Sequence, residues 1–366
     1  MPRLFLRDAK PGDTFDDVFV LTNKQLAAAK NGEPYMKAFV GDRTATLTAR
    51  WWKINPNTFQ KLPEAGFVRF QGRVENYQGH LQAVLEQAWE PRPGSYEPGD
   101  LIARSSRDVP TMFNRLAAIL GTIANRHLAA IITAYLSDEP LMADLCRAPA
   151  AQSFHHAFLG GLLEHTLNAV EVADAVCPFY PGLNRDLVVA GIFLHDIAKT
   201  WELTYDTAFA YSDGGQLVGH IVKAAMWVEE KRRAAEATLG EPIPQQLVDV
   251  LQHIILSHHG EHAFGSPKLP MTPEAIVVHM VENMDAKLMM ALAVCRGEAG
   301  GEATGNWTDY QKAFGGRMFR PDVAPPDAPP SPAHAEPLTK PAVEERDRPP
   351  LAITNPLFES VDVKRR

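Results

Sequence analysis

The chain has 366 residues, 45% of them hydrophobic, enough to bury one large core or two modest ones. Its formal net charge of −8 excludes a protein that grips nucleic acid over its whole surface. Cys146, Cys177 and Cys295 are odd in number and far apart, which excludes a disulfide framework, and no run reads as a signal peptide or a membrane span, so a reducing, cytoplasmic setting is expected.

Charge is unevenly spread. Residues 1–92 carry 13 Lys+Arg against 10 Asp+Glu, a net of +3 that leaves −11 for the remainder. Turn signals such as Asn31-Gly32 and Gly41-Asp42 separate five predicted strands: Phe15 to Thr22, Tyr35 to Val40, Ala45 to Trp52, Phe67 to Tyr77 and Leu81 to Trp89. Alternation is clear in Leu47-Ala49-Trp51 against Thr46-Thr48-Arg50, and in Val68-Phe70-Val74 against Arg69-Gln71-Arg73. Five short strands in this length predict a small OB-like barrel, a fold that binds single strands by stacking bases on aromatics beside a basic groove. Trp51, Trp52, Tyr35, Phe39, Tyr77, Arg50, Lys53, Arg69 and Arg73 have that chemistry, although packing inward is the commoner use of any one aromatic.

Pro91 to Pro98 reads as a linker, after which helical periodicity takes over. Helices are predicted at Thr111 to Leu136, His155 to Val176, Arg185 to Leu194, Leu217 to Thr238, Gln245 to Ser257 and Pro273 to Cys295, with a small hairpin in the loop between Trp201 and Gln216. From Pro321 onward there are 11 prolines in 46 residues, which predicts a disordered tail whose patch Asn355-Pro356-Leu357-Phe358-Glu359 could serve as a weak docking motif. The expected fold is thus multidomain β + α: 1–92 an OB-like nucleic-acid-binding domain, 93–110 a linker, 111–319 an all-α domain and 320–366 a disordered Pro-rich tail.

The helical part is organised around Phe193-Leu194-His195-Asp196-Ile197-Ala198-Lys199, where an apolar run stops on a histidine and a carboxylate. His195 can hold one ion while Asp196, with two oxygens, can bridge to a second. His165, His220, the His258-His259 pair and Asp285 each lie in or just after an apolar run, and together they exceed what one ion takes. With Asp196 bridging, His165, His195 and Asp285 would complete one ion, and His220, His258 and His259 the other. Imidazole and carboxylate together suit borderline divalent ions such as manganese, iron, cobalt, nickel or zinc, and the absence of clustered cysteines disfavours a zinc knuckle; manganese is the occupant expected, with magnesium a further candidate. Each member has a structural alternative: a histidine pair before Gly260 meets a helix dipole, and a carboxylate beside Met284 is costly to bury without a positive neighbour.

This order of ligands, with Lys199 one turn beyond Asp196, resembles the two-metal form of the HD phosphohydrolase superfamily. The run Phe154-His155-His156-Ala157-Phe158-Leu159-Gly160-Gly161-Leu162-Leu163-Glu164-His165-Thr166, with Ser257-His258-His259-Gly260-Glu261 and Gly265-Ser266-Pro267, is similar to the YhaM-type 3′-to-5′ exoribonucleases, in which an OB domain precedes the HD domain. The Gly-Tyr-Pro signature of cyclic-dinucleotide phosphodiesterases is replaced here by Glu261-His262-Ala263-Phe264. The resemblance implies a metal-dependent phosphodiesterase that shortens single-stranded RNA, or single-stranded DNA, from the 3′ end to nucleoside 5′-monophosphates. It also implies that Asp196 and Lys199 are catalytic, Lys199 pairing with a phosphate oxygen or orienting the nucleophile. His155 and His156 would then contact the terminal ribose, protonate the leaving oxygen, or hold His165 or Asp285 in place. Two other readings stay open: a hydrolase of free nucleotides, and a nucleic-acid-binding protein with a structural metal. No membrane partner is expected, and homo-oligomerisation is left open.

Overall fold

The computed structural model describes residues 3–29, 31–77, 79–92, 94–152, 156–205, 209–296 and 305–320. The expected tail, including the Asn355 to Glu359 patch, and His155 lie outside the described residues. The described residues up to 296 belong to one compact unit and residues 305–320 to a second.

The first unit begins with a closed five-stranded barrel. Strands β1 (Thr14–Ala28), β2 (Pro34–Gly41) and β3 (Thr46–Trp52) are followed by the short helix α1 (Pro56–Lys61), then β4 (Gly66–Tyr77) and β5 (His80–Trp89). The order around the barrel is β1-β2-β3-β5-β4, all neighbours antiparallel except β3 with β5. That closure leaves no free strand edge and matches the OB-like expectation. The inward positions are the alternating apolar ones: Phe15, Phe19, Leu21, Met36, Ala38, Val40, Leu47, Ala49, Val68, Phe70 and Val74 fill the core. Gly72 sits at the β4–β5 bulge, where a Cβ would lie 2.2 Å from the Val84 carbonyl oxygen, so only glycine lets the strands close.

The segment after the barrel is packed down. Val18, Leu101 and Ile102 form a buried cluster with Val20, Phe67, Tyr96, Leu159 and Phe209 against it. Backbone hydrogen bonds from Leu159 to Ala103 and from Ser105 to Leu159 tie this segment to the loop before the metal-candidate helices.

The helices that follow are α2 (Val109–Leu120), α3 (Arg126–Leu136), α4 (Glu139–Arg147), α5 (Gly161–Val176), α6 (Arg185–His195) and α7 (Lys199–Glu202). Next come the hairpin β6 (Leu203–Thr204) and β7 (Ala210–Tyr211), then α8 (Asp213–Val218), α9 (His220–Leu239), α10 (Gln245–Ser257) and α11 (Pro273–Cys295). The single helix expected over Thr111 to Leu136 is two, because Asn125 caps a new helix and Asp186 accepts from the Ala124 and Asn125 amides, pinning the turn. Helix α4, capped by Asp138, was not anticipated. α5 starts at Gly161 rather than at His155. α10 and α11 have the expected bounds, and the hairpin predicted after Trp201 is present. Among the described residues, no helix is long and apolar enough to cross a membrane.

In the second unit, β8 (Trp307–Gln311) and β9 (Gly316–Phe319) form a two-stranded hairpin in which the Trp307 and Phe319 rings meet edge to face.

Candidate metal centre

The ends of three helices and the bodies of two more bring the candidate ligands together. α6 stops on His195 with Asp196 as its C-cap, α9 starts on His220, and α10 runs out into His258 and His259. α5 presents His165 and α11 presents Asp285. Helix termini suit this use because the chain can turn there and aim consecutive side chains inward. Most of the assembly is buried, with His165 and His258 at 0% exposure and Asp196 at 2%, while His259 and Asp285 are half-buried.

Asp196 is the hub. Its Oδ2 lies 2.7 Å from Lys199 Nζ, 3.3 Å from His195 Nε2 and 3.7 Å from His165 Nε2. Its Oδ1 faces the other way, 3.2 Å from His220 Nε2 and 3.5 Å from His258 Nε2. His258 and His259 stack edge to face, and His220, His258 and His259 have ligand atoms within 4.8 Å of one another.

Each histidine has its proton placed by a partner on the far side of the ring. His195 Nδ1 donates to the Ile192 carbonyl (2.6 Å), His258 Nδ1 to Ile255 (2.7 Å) and His259 Nδ1 to Phe264 (2.7 Å). His220 Nδ1 donates to the Glu202 carboxylate at 2.9 Å, and His165 Nδ1 to Asp285 Oδ2 at 2.7 Å. Each Nε2 is thus the ring nitrogen turned inward, the atom a neutral imidazole with Nδ1 protonated offers to a metal. His165 Nε2 and His195 Nε2 stand 3.2 Å apart as two acceptors, a repulsive pairing unless a cation lies at hand. Asp196 Oδ1, His220 Nε2 and His258 Nε2 are buried with no hydrogen-bond partner. Leaving three such atoms dry and unsatisfied is expensive in a native interior, and they point at one another. The donor set fits divalent cations: groups of His165, His195 and Asp196, and of His220, His258 and His259, could each hold one.

The charges follow this geometry. Burial holds the His165 and His258 imidazoles below their ordinary values and pushes His259 down to about 4. Burial would raise Asp196, but Lys199 and His195 outweigh it and keep the carboxyl well below the usual range. Burial also opposes the charge on Lys199 and His220; Asp196 raises the first, and Asp196 with Glu202 raises the second. Lys199 thus spends its charge on Asp196 in this geometry.

Asp285 occupies a different place from the one expected. It meets His165 through Nδ1, on the side away from His195 and Asp196, and its Oδ2 also accepts from His156 Nε2 at 2.9 Å. A chain of contacts continues through Asn168, whose Nδ2 is 3.4 Å from Asp285 Oδ1 and whose Oδ1 accepts from Arg107 at 2.7 Å. His156 is buried and engaged with Asp285, which is the positioning contact among the roles open to it.

Besides Asn168, three more residues of this centre were missed by the sequence reading. Glu202 fixes His220 by accepting from both its backbone amide and Nδ1, each at 2.9 Å. His279 donates to the His258 carbonyl at 2.8 Å. Glu282 lies between His279 and Asp285 on the same stripe of α11, with burial and then Asp196 raising its carboxyl. His279, Glu282 and Asp285 recur every three residues, a spacing that could have flagged them, whereas nothing in the short Lys199 to Glu202 helix announces Glu202.

On the barrel, the expected contact residues divide. Tyr35, Lys37 and Phe39 on β2 pair with Trp52, Arg50 and Thr48 on β3 and face outward together. Trp52 stacks on Tyr35 with ring centroids 4.9 Å apart and is 49% exposed. Trp51 packs inward against Phe70. Arg69 is held by Asp16 through two hydrogen bonds and Arg73 by Glu86, both on β4, while Lys53 pairs with Glu33. Tyr77 is exposed near the end of β4.

The helical fold with this buried His–Asp centre is an HD domain: the HD domain family model matches residues 162–287. Over longer stretches, the chain is 32% identical across 282 residues to the 3′-5′ exoribonuclease YhaM of Geobacillus sp. (strain WCH70), covering 76% of this chain and 84% of that one. The YhaM of Shouchella clausii is 32% identical over 289 residues (78% and 87%), and that of Listeria innocua 30% over 298 (81% and 93%). The chain belongs to the YhaM 3′-5′ exoribonuclease family. Among solved structures, the protein PriB from Ralstonia solanacearum aligns with 22% of this chain and 97% of its own at a TM-score of 0.20 and 9% identity, too slight to bear on the fold.

Proposed function

We propose that this protein is a metal-dependent 3′-to-5′ exoribonuclease that removes nucleoside 5′-monophosphates one at a time from single-stranded RNA. The observation that carries the reading is Asp196, buried with one oxygen toward His165 and His195 and the other, unsatisfied, toward His220 and His258. In this reading His165, His195 and Asp196 would hold one divalent ion, with Asp285 behind His165, on its Nδ1 side. His220, His258 and His259 hold the second, and Asp196 is shared. Bound divalent ions, manganese foremost, supply Lewis acidity that acidifies water and neutralises phosphoryl oxygens.

The chain's own residues prepare that chemistry. The Nδ1 partners lock each imidazole in the ligating tautomer before anything binds, so no reorganisation is needed. Lys199, beside Asp196, supplies positive charge to a phosphate oxygen when a diester enters. His156 and Asn168 hold Asp285. The outward Tyr35–Trp52 stack, with Lys37 and Arg50 alongside, offers base stacking and phosphate pairing to a single strand, which favours a polymer over a free nucleotide. The three cysteines, odd in number and far apart in sequence, support a reducing, cytoplasmic setting.

The test is an incubation of 5′-end-labelled single-stranded RNA with the protein and manganese, beside single-stranded DNA and a panel of free nucleotides. A ladder shortening from the 3′ end, abolished by His195→Ala, is expected. Intact RNA, or full activity of His195→Ala, overturns the proposal, and hydrolysis of free nucleotides alone transfers it to the small-molecule reading.

A further inference from the structure

The chain that leaves His259 is a tightly fixed turn carrying an aromatic ring with nothing to stack on. Residues His262–Phe264 form a single 3-10 turn. The Glu261 carbonyl accepts from the Phe264 and Ser266 amides at 3.0 and 3.2 Å, and His262 Nδ1 donates to the Ser266 carbonyl at 2.9 Å. Ser266 is buried, its Oγ lying 3.1 and 2.7 Å from the Leu256 and Lys268 carbonyl oxygens, which anchors the turn to the end of α10. The Phe264 carbonyl accepts from His259 Nδ1 at 2.7 Å, so this backbone is one imidazole ring away from the inward Nε2. The Phe264 side chain, by contrast, is 58% exposed and, among the described residues, meets no other ring and no cation. A backbone this firmly ordered, presenting a large apolar ring to water, has the form of a preorganised contact.

We infer that the Phe264 ring is the stacking platform for the 3′-terminal base of the strand, an inference that rests on the exoribonuclease reading above. The nucleotide whose phosphate reaches His259 Nε2 is the one being released, and its base lies one sugar away, as the Phe264 ring lies one methylene from the backbone that holds His259. A base is the one large, flat, apolar face a nucleotide has, and it is what an aromatic ring beside a phosphate-handling centre fits. The chain entering the same ligand group from α8 is apolar too: Leu217 and Val218, three and two residues ahead of His220, are exposed, and the His220 ring lies 5.4 Å from that of His259. Phe179 and Tyr180 are at least as exposed as Phe264, but they follow the end of α5 remote from His165. Because a phenyl ring offers no hydrogen-bond code, the platform secures the terminal residue without choosing its identity. In the cleavage, water oxygen bonds to phosphorus, the bond to the preceding 3′ oxygen breaks, and that oxygen leaves protonated. The phosphate stays with the stacked residue, so the ring grips the same nucleotide before and after the bond breaks. Such a contact is uniform and belongs in KM rather than kcat.

The experiment measures kcat and KM of the full chain with manganese on two substrates: an adenylyl dinucleotide, and the same dinucleotide lacking the base of its 3′ residue. Phe264→Ala and Phe264→Leu are each expected to raise KM on the intact dinucleotide about 5- to 150-fold, the range of one base–aromatic stack, with kcat held within about twofold. The wild type should show the same rise on the abasic dinucleotide, the variants no further rise, and Phe264→Trp should keep the wild-type KM. The carbonyl that holds His259 is backbone, so manganese affinity and melting temperature of Phe264→Ala should match the wild type, and Phe179→Ala should change neither KM nor kcat. Normal cleavage with wild-type KM in Phe264→Ala overturns the inference alone, and so does a KM rise of equal size on the intact and abasic dinucleotides, the mark of a merely structural role. A wild type that releases no mononucleotide from either substrate overturns the exoribonuclease reading, and the inference with it.

Discussion

Replacing Gly260 by alanine tests how tightly the His258-His259 pair is held. Gly260 has φ +75°, and a Cβ there would lie 2.1, 2.3 and 2.4 Å from three atoms of the His279 ring. The left-handed backbone alone costs an alanine about 1–2 kcal/mol. Contacts that short cannot be absorbed in place, so the ring must move by more than an ångström, an overpacking cost of about 1–3 kcal/mol. That movement also breaks the 2.8 Å hydrogen bond from His279 to the His258 carbonyl, worth about 1 kcal/mol. The total is about 3–6 kcal/mol. For a domain of this size, 3 kcal/mol lowers the melting temperature by roughly 6–12 °C. Because the displaced carbonyl belongs to a proposed ligand, manganese affinity should fall about 10–100-fold as well. The assay is a thermal melt with a manganese titration, run as a cycle with His279→Ala. Removing the ring makes room for the Cβ, so the double variant should be less destabilised than the sum of the singles by at least 1 kcal/mol. Strict additivity, or a Gly260→Ala protein that melts like the wild type, refutes the reasoning.

Other outcomes follow from the same geometry. Glu202→Gln keeps the shape but removes the charge that fixes the His220 tautomer, and should weaken metal binding about 10–100-fold with little change in melting temperature; calorimetric metal titration reads it. Lys199→Met leaves Asp196 buried without its 2.7 Å partner, so the metal-free protein should lose about 3–5 kcal/mol, much of it restored by saturating manganese; melts with and without metal decide. Melting of the metal-free protein against pH follows the buried imidazoles: His165, His258 and His259 are held below their unfolded value of about 6.5, so the unfolded state gains protons first as pH drops. Stability should therefore fall from pH 6.5 towards about 4, the value of His259, and His259→Ala should flatten the profile. The raised His220 acts in the opposite sense, adding stability below 6.5 that is lost as pH rises through its folded value. A profile that His259→Ala leaves unchanged over that window would show that this imidazole is not buried neutral. Trp52→Ala should weaken single-stranded RNA binding by about 1–3 kcal/mol while leaving cleavage of a dinucleotide unchanged, as measured by fluorescence anisotropy and product release.

The elements were legible because the barrel strands alternate with period two and α10 and α11 repeat with period near 3.6, patterns that buried faces impose locally on a sequence. The candidate ligands stood out for a related reason: histidines and aspartates at the edge of apolar runs are conspicuous where a polar group is costly to bury. What a one-dimensional string does not hold is which nitrogen of a ring faces which neighbour. Tertiary packing alone turned His165 so that Asp285 lies behind it, brought Glu202 to His220 and His279 to the His258 carbonyl, and split Trp51 from Trp52 across the barrel wall. Those choices depend on contacts between residues far apart in sequence, as in the 120 positions that separate His165 from Asp285, and the energy that decides them exists only once the helices have met.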